Sequence, residues 1–251
     1  EDKERYKEKF SIPSRKRVKG KLIWFHGASV GEILSIVPLI KNYEKNNSIS
    51  QILVTSSTLS SSKVLKKFKF KKTVHQFYPI DNLFLTNKFL KFWKPCLAVF
   101  VDSEIWPCMY NNISNKKIPL ILLNARLTKK TFKRWMVLRG FAKYIFNKIT
   151  IAYPQNLETA KYLKLLKANK IGHLGNLKFA ENSQENLEKI NINLKKELTK
   201  KKVWVASSTH KNEELFCAKA HIHLRKKIKN LITIIIPRHI HRAKDIISEI
   251  E

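Results

Sequence analysis

Short apolar runs rich in β-branched residues alternate with helical patterns along almost the whole chain, and this alternation restricts the possible folds more than any other feature. Stretches such as Leu83–Trp93 and Lys133–Phe146 repeat apolar residues every three or four positions, as in a helix that covers a sheet. The order predicts an α/β fold with a parallel sheet and right-handed crossovers. The predicted strands are Leu22–Phe25, Ile52–Thr55, Val74–Phe77, Leu97–Val101, Leu120–Leu123, Thr150–Tyr153, Val203–Ala206 and Ile232–Ile236.

The pattern changes between Glu181 and Lys202, where a polar stretch rich in Lys, Asn and Glu separates six predicted strands from the last two. We therefore predict a first domain at residues 1–180 and a second at residues 181–251. Two strand–helix units are too few to close a doubly wound domain, so the second domain is expected to be truncated. The opening Glu1–Lys21 has no strand pattern, and sequence is expected to be missing at that end as well.

The composition is strongly basic, with 50 Lys and Arg against 19 Asp and Glu, a formal net charge of +31 and a pI near 10.1. Anionic partners are therefore expected, and nucleic acid, a membrane surface and a phosphorylated substrate fit equally well. Codon bias toward Lys explains the excess as readily. No apolar run approaches the roughly 18 residues that cross a bilayer. Three cysteines without CxxC spacing are predicted to be buried thiols: Cys96, Cys108 and Cys217.

In open parallel sheets ligands bind at the carboxyl ends of the strands, so the polar residues there are the candidate site. The first strand is followed by a turn of small residues that contains Ser29 and Gly31 and leads to Glu32. Glu32 is a candidate general base. Ser29 and Glu32 also have the S-x-x-E spacing of a capping box, in which the Glu accepts a backbone N–H, and spacing alone favours this second interpretation.

Further candidates follow the fourth and fifth predicted strands. Asp102 and Glu104 stand two residues apart, so in an extended segment both would face the same cleft, or either could cap the next helix. Arg126 could hold a phosphate or carboxylate, or could pair with Asp102 or Glu104.

In the second domain, two loops that follow successive predicted strands carry groups that could bind a phosphate. They are the hydroxyls of the turn Ser207–His210 and the cation of Arg238. No metal site is predicted, because the paired histidines lack acidic partners and no DxD sequence is present. No sequence of the GxxxxGK[ST] type is present either.

Seven ordered blocks resemble the 3-deoxy-D-manno-octulosonic acid (Kdo) transferases, which attach Kdo to the lipid A precursor of Gram-negative bacteria. The blocks are Trp24–Glu32 (WFHGASVGE), His75–Asp81 (HQFYPID), Ser103–Pro107 (SEIWP), Leu123–Leu127 (LNARL), Gly175–Phe179 (GNLKF), Ala206–His210 (ASSTH) and Pro237–His239 (PRH). The resemblance implies a GT-B fold, in which one Rossmann-like domain binds the acceptor and a second binds the nucleotide sugar. It also implies CMP-Kdo as donor, lipid IVA as acceptor, an inverting displacement and no cofactor.

The resemblance assigns roles to individual positions. Glu32 matches the catalytic base, which reverses the preference for a cap, and Glu104 matches a second functional acid. Asp102 stands where many family members carry Glu, and we place it on the acceptor side with three other residues: Ser29, Gly31 and Arg126. The donor-side candidates are Lys178, Ser208, Thr209, His210, Arg238 and His239.

The chain departs from the family pattern at Ala152–Gln155, and the later Gly-rich nucleotide-binding block is absent. The family's hydrophobic N-terminal anchor would lie upstream of Glu1. The resemblance places the protein at the cytoplasmic face of the inner membrane, where basic residues and exposed aromatics such as Trp93 or Trp135 would help docking, although tryptophans are more often buried. Two alternatives remain: a basic nucleic-acid-binding protein, which net charge alone supports, and another GT-B enzyme or nucleotide-sugar epimerase, which the ordered blocks disfavour.

Overall fold

The computed structural model describes residues 5–173 and 192–250. The chain divides into two compact units, Glu1–Asn182 and Ser183–Glu251. Both units contain parallel sheets flanked by helices, which confirms the predicted α/β class.

The first unit contains a six-stranded parallel sheet in the order β3-β2-β1-β4-β5-β6. From β1 the chain winds outward to β3 and then returns to place β4 on the other side of β1. The carboxyl ends of β1 and β4 therefore form the topological switch point, where open α/β sheets bind ligands. The strands are β1 Leu22–His26, β2 Gln51–Ser56, β3 Thr73–Phe77, β4 Leu97–Val101, β5 Leu120–Ala125 and β6 Ile151–Pro154.

Helices cover both faces of this sheet. The predicted helix Leu83–Trp93 is found with the same bounds, whereas Lys133–Phe146 is divided into two helices at Leu138, whose φ of −110° and ψ of 60° are not helical. The two parts pack differently, since the first buries no residue and the second buries three. The helices are α1 Val30–Glu44, α2 Leu59–Lys66, α3 Leu83–Trp93, α4 Pro107–Asn115, α5 Lys129–Val137, α6 Arg139–Phe146 and α7 Leu157–Leu165.

The sheet is buried on both faces, as apolar strands in a parallel sheet require. Alternate residues of β1 enter opposite layers: Trp24 packs with Phe89 and Phe100 on one face, and Phe25 packs with Ile33 on the other. Each such side chain contributes about 1.5–3 kcal/mol by leaving water. This two-layered core fixes the strand ends, and with them the loops that carry the candidate residues.

A 3₁₀ helix, Tyr6–Phe10, attaches the opening segment to β3. Glu8 is buried there and accepts hydrogen bonds from Arg5, from the hydroxyl of Ser14 and from the Phe77 amide. The prediction of buried thiols is correct for Cys217 alone, because Cys96 is exposed and Cys108 is half-buried. Among the described residues, no helix combines the length and apolar character needed to cross a membrane.

The second unit contains a two-stranded parallel sheet, β7 Lys202–Thr209 and β8 Leu231–Pro237, with helices α8 Ile192–Thr199, α9 Glu213–Arg225 and α10 Ala243–Ile250. A buried carboxylate joins three of its segments. Glu214, on α9, accepts hydrogen bonds from the Thr209 hydroxyl at 2.9 Å and from Arg242 at 3.0 and 3.3 Å. This network holds the end of β7 against the segment that follows β8.

Candidate active site

A cavity of about 240 Å³ opens at the switch point of the first sheet. Loops that follow β1, β4 and β5 bring Glu32, Asp102 and Arg126 together there, although these residues lie far apart in the sequence. The lining residues are Ser29, Gly31, Glu32, Ser35, Asp102, Ser103, Asn124 and Arg126. A larger cavity of about 290 Å³ lies where β3 begins and includes none of the predicted site residues.

Three lining residues were not among the predicted ones. Ser35 follows Glu32 by one helical turn, so its position on the same face could have been inferred from the i, i+3 spacing. Ser103 and Asn124 lie within the family blocks, but nothing in their spacing distinguished them from their neighbours.

Glu32 caps the start of α1, as the S-x-x-E spacing predicted, although it accepts the N–H of Ala28 and not that of the N-cap Ser29, and it also lines the cavity. Ser29 is the N-cap of α1, and its Oγ accepts the Glu32 N–H at 3.3 Å and donates to Glu32 Oε1 at 2.8 Å. The Ala28 N–H donates to Glu32 Oε2 at 2.7 Å. The Glu32 carboxylate therefore caps the helix, and it also lies at the edge of the cavity, as a general base would have to.

Burial raises the pKa of Glu32, and the charges of Glu104 and Asp102 raise it further. The hydrogen bonds from Ser29 and Ala28 act in the opposite direction, but the net change in the pKa is upward. A carboxylate with a raised pKa is a stronger base, as a proton acceptor in catalysis requires.

Asp102 and Glu104 do not share the cavity, so the expectation from their i, i+2 spacing was wrong. Asp102 has a φ of +62°, in the left-handed region, and the extended alternation of side chains ends there. Asp102 lines the cavity, whereas Glu104 turns toward His26 and Trp106.

Glu104 is contacted by nitrogens of two aromatic rings. Its Oε2 lies 3.2 Å from His26 Nε2 and 2.8 Å from Trp106 Nε1, and its side chain keeps 14% of its surface exposed. Tyr110 donates to the Glu104 carbonyl at 2.9 Å. These contacts leave the carboxylate little freedom to reorient.

Arg126 is exposed, and its backbone N–H donates to the Asp102 carbonyl at 3.2 Å. Its guanidinium makes no ion pair with any residue of the described ranges 5–173 and 192–250. Of the alternatives left open by the sequence, pairing with Asp102 or Glu104 is therefore wrong. The guanidinium is available to an anionic group in the cavity.

Residues of the block His75–Asp81 contact two parts of the site, the start of helix α4 and the ring of His26. Asp81 accepts the N–H groups of Cys108 and Met109 at 3.0 and 2.8 Å. It therefore caps α4, the helix that follows Glu104 and begins at Pro107. Tyr78 stacks on His26 with ring centroids 4.0 Å apart. Its buried hydroxyl has no hydrogen-bond partner within the described part of the chain.

The donor-side candidates lie at the carboxyl ends of β7 and β8 in the second unit. Ser208, His210, Arg238 and His239 are exposed there, which suits contact with a ligand. The hydroxyl of Thr209 is instead committed to Glu214. Lys178 lies outside the described residues. Nowhere in the described ranges do three His, Cys, Asp or Glu side chains gather in a geometry that could hold a metal ion.

The fold belongs to the GT-B class of α/β proteins. UDP-GlcNAc 2-epimerase from Neisseria meningitidis matches 92% of this chain with a TM-score of 0.61, and the match covers 70% of that protein. A UDP complex of S. aureus MnaA matches with a TM-score of 0.57, over 92% of this chain and 65% of that one. Sequence identity is 15% in both cases, so these likenesses show the fold alone.

The chain belongs to the Kdo transferase family: the profile described as 3-deoxy-D-manno-octulosonic-acid transferase matches residues 4–181. A 3-deoxy-D-manno-octulosonic acid transferase from Rickettsia felis is 38% identical over 234 residues, which are 90% of this chain and 49% of that protein. The one from Haemophilus influenzae is 28% identical, over 88% of this chain and 52% of that protein. The chain thus spans about half the length of these relatives. The family resemblance and the GT-B fold are confirmed, and the residue roles stay predictions.

Proposed function

We propose that the chain is part of a glycosyltransferase that moves Kdo from CMP-Kdo to the lipid A precursor lipid IVA in lipopolysaccharide biosynthesis. Membership of the Kdo transferase family, over a segment that contains the whole switch-point cavity, carries this proposal. The likeness to epimerases does not favour the epimerase alternative, because at 15% identity it extends only to the fold.

In the proposed reaction, a hydroxyl of the lipid acceptor loses its proton to Glu32 and attacks the anomeric carbon of Kdo. The bond from that carbon to the phosphate oxygen breaks and CMP leaves, so a single displacement inverts the centre. The cap fixes the Glu32 carboxylate in place, and its raised pKa suits the removal of a hydroxyl proton.

Negative charge is the main obstacle, because the donor carboxylate and the departing phosphate are both anionic. Among the described residues that line the cavity, Arg126 is the cation; on the donor side Arg238 follows β8 and His210 follows β7. Guanidinium groups bind phosphates and carboxylates in bidentate fashion and stabilise the charge that develops. Ser29, Gly31 and Asp102 would contact the acceptor, and Lys178, Ser208, Thr209 and His239 the donor.

We also propose an anionic membrane surface as a partner, at the cytoplasmic face of the inner membrane. The helices α5 and α6 form a basic and apolar surface next to the cavity, since α5 begins shortly after Arg126. No Asp or Glu occurs between residues 105 and 157. The exposed apolar side chains of the α5–α6 surface are Val137 (81%), Leu138 (64%), Phe141 (46%) and Tyr144 (55%). Its exposed basic ones are Lys129, Lys130, Lys133, Arg134 and Arg139.

The expected docking role of the two tryptophans receives no support. Trp93 is fully buried and Trp135 is half-buried against Phe146. In flotation with vesicles containing phosphatidylglycerol, the joint substitution of Val137 and Leu138 by Ser should reduce binding. Phe84→Ser, on a 73% exposed residue outside this surface, is the matched control. Equal loss in both variants would contradict this choice of surface.

The proposed reaction is tested with the full-length protein, CMP-Kdo and lipid IVA, with product detected by mass spectrometry. Addition of Kdo to the lipid is the expected result. UDP-GlcNAc supplied instead should remain unchanged, whereas its epimerisation would favour the epimerase alternative. Tight binding of duplex DNA at physiological salt, without transfer, would favour a nucleic-acid-binding protein.

A further inference from the structure

His26 lies at the carboxyl end of β1 and is wholly buried, yet the proposed reaction gives it no role. Its ring is stacked on Tyr78 and lies edge-on to Phe100, with centroids 4.0 and 5.0 Å away. Both ring nitrogens face polar groups. Nε2 is 3.2 Å from Glu104 Oε2, and Nδ1 is 3.0 Å from the Thr55 hydroxyl and 3.2 Å from the Thr55 carbonyl.

The hydrogen bonds around Thr55 favour one tautomer of this ring. Trp24 donates its indole N–H to the Thr55 hydroxyl at 2.9 Å, so the hydroxyl proton is left for an acceptor. His26 Nδ1 at 3.0 Å is closer to that hydroxyl than the Phe25 carbonyl at 3.4 Å. If Nδ1 accepts this proton, Nε2 carries the ring's own proton and donates it to Glu104. Burial also favours the neutral ring, because it lowers the pKa of His26.

The same arrangement is unfavourable with the other neutral tautomer. With the proton on Nδ1, the lone pair of Nε2 would face the carboxylate oxygen of Glu104 at 3.2 Å, and the ring is wholly buried. The chain of donors therefore runs in one direction, from Trp24 through Thr55 and His26 to Glu104.

We propose that His26 is a positioning residue, which in its neutral Nε2–H form holds the Glu104 carboxylate in one orientation beside the cavity. Trp106 supplies the second N–H to the same oxygen, so the two rings fix Oε2 from different elements. Within the described ranges both hydrogen bonds go to Oε2, and Oε1 takes none. The importance of this orientation for turnover rests on the proposed function. The hydrogen-bond geometry is independent of it.

The tautomer is measured first, by two-bond ¹H–¹⁵N correlation spectra of the full-length protein labelled at histidine, with His26 assigned by substitution. A neutral ring protonated at Nε2 is the expected result, and a mixture of tautomers is expected in Thr55→Val, which lacks the hydroxyl. Thr55→Ser keeps the hydroxyl and should retain the wild-type pattern. A ring protonated at Nδ1, or an imidazolium at neutral pH, would overturn the proposal.

Kinetics provide the second measurement. Misplacing a catalytic group by about 1 Å lowers the reaction rate about 100-fold. His26→Phe should therefore lower kcat by about 10- to 100-fold and leave KM for the donor unchanged. His26→Gln, which keeps an N–H donor near the place of Nε2, should recover part of this loss. Folding of both variants is checked by circular dichroism, and Thr55→Val and Thr55→Ser repeat the comparison if His26→Phe unfolds.

The two hypotheses fail in distinguishable ways. A folded His26→Phe variant with wild-type kcat refutes the positioning role, even if transfer of Kdo is observed. A wild-type protein that transfers no Kdo refutes the proposed function, and the spectra still decide whether His26 donates to Glu104.

Discussion

The two roles of Glu32, as a cap and as a base, can be separated by mutation. Glu32→Gln removes the basic oxygen but keeps an amide oxygen that can accept the Ala28 N–H, and it leaves the Ser29 hydroxyl in place to cap the Glu32 N–H. Ser29→Ala does the reverse, because it removes the N-cap and one hydrogen bond to the carboxylate but leaves the base.

The expected magnitudes follow from these contacts. A positioned base contributes about 10²–10⁴ in rate, so Glu32→Gln should reduce kcat by that factor. Loss of an N-cap costs about 1 kcal/mol, so Ser29→Ala should lower the free energy of unfolding by that amount. The Ser29 hydrogen bond also lowers the pKa of Glu32. Its removal should move the acidic limb of the pH–rate profile to higher pH.

The raised pKa of Glu32 implies that Glu32→Gln does not destabilise the fold, so this variant tests the catalytic role alone. A carboxyl group whose folded-state pKa is raised stabilises the fold below its unfolded pKa, and this contribution is lost as the pH rises through the folded pKa. Since the pKa of Glu32 is raised mainly by burial, its ionised form disfavours folding at neutral pH. Glu32→Gln should therefore be at least as stable as the wild type.

The assay combines transfer of Kdo from CMP-Kdo to lipid IVA by full-length variants with urea unfolding of the same preparations. Glu32→Gln should be stable and lose most of its kcat. Ser29→Ala should be less stable and keep most of its kcat, while its KM for lipid IVA should rise because Ser29 would contact the acceptor. If Glu32→Gln stays within about tenfold of wild-type kcat, well short of what a positioned base supplies, Glu32 is not the base. If instead it unfolds more easily than Ser29→Ala, its main role is the cap.

Glu104→Gln should move the acidic limb of the pH–rate profile to lower pH, because the Glu104 charge is one of the causes that raise the pKa of Glu32, after burial; an unmoved limb would contradict this coupling. Arg126→Ala should raise KM more than it lowers kcat if the guanidinium binds an anionic group of the substrate, and Arg225→Ala, at an exposed position in the last turn of helix α9, should leave both unchanged. Asp81→Ala should lower the free energy of unfolding by about 1–2 kcal/mol in urea, since it removes the cap of α4; an unchanged midpoint would show that water replaces the carboxylate.

Much of the fold could be predicted from hydrophobic patterning. Fully buried strands of a parallel sheet are continuous apolar runs, and the six in the first unit were found with ends that differ by two residues at most. The break at Leu138 could not be predicted. The apolar periodicity of the sequence continues through it, and the two helices on either side of Leu138 differ in how many residues they bury.

The candidate site was predictable where a strand end determines it. Glu32, Asp102 and Arg126 were found because each follows a buried strand, and the carboxyl ends of parallel strands meet at one edge. The orientation of Glu104 was not predictable, because it depends on the left-handed backbone at Asp102 and on His26, a neighbour 78 positions away. His26 itself ends an apolar strand and reads as part of the core.

The ends of β4 and β5 share a left-handed backbone conformation, which explains how polar side chains reach the cavity from buried strands. Asp102 and Asn124 have φ values of +62° and +52°, and they are joined through the backbone, since Asp102 donates to the Leu123 carbonyl and Arg126 donates to that of Asp102. A left-handed residue breaks the alternation of a strand, so the side chain that would enter an apolar layer turns toward the strand end instead.

Asp and Asn are the side chains that adopt this conformation most easily, whereas a β-branched residue there would be strained by about 1–3 kcal/mol. The identity of these two positions is therefore set by the backbone as well as by chemistry. Ser208 in the second unit has a φ of +62° at a register shift between β7 and β8. The same argument applies to that strand end: Ser208 is exposed there while its neighbour Thr209 is buried against Glu214. Of the two hydroxyls predicted to contact the donor, the geometry of β7 thus favours Ser208.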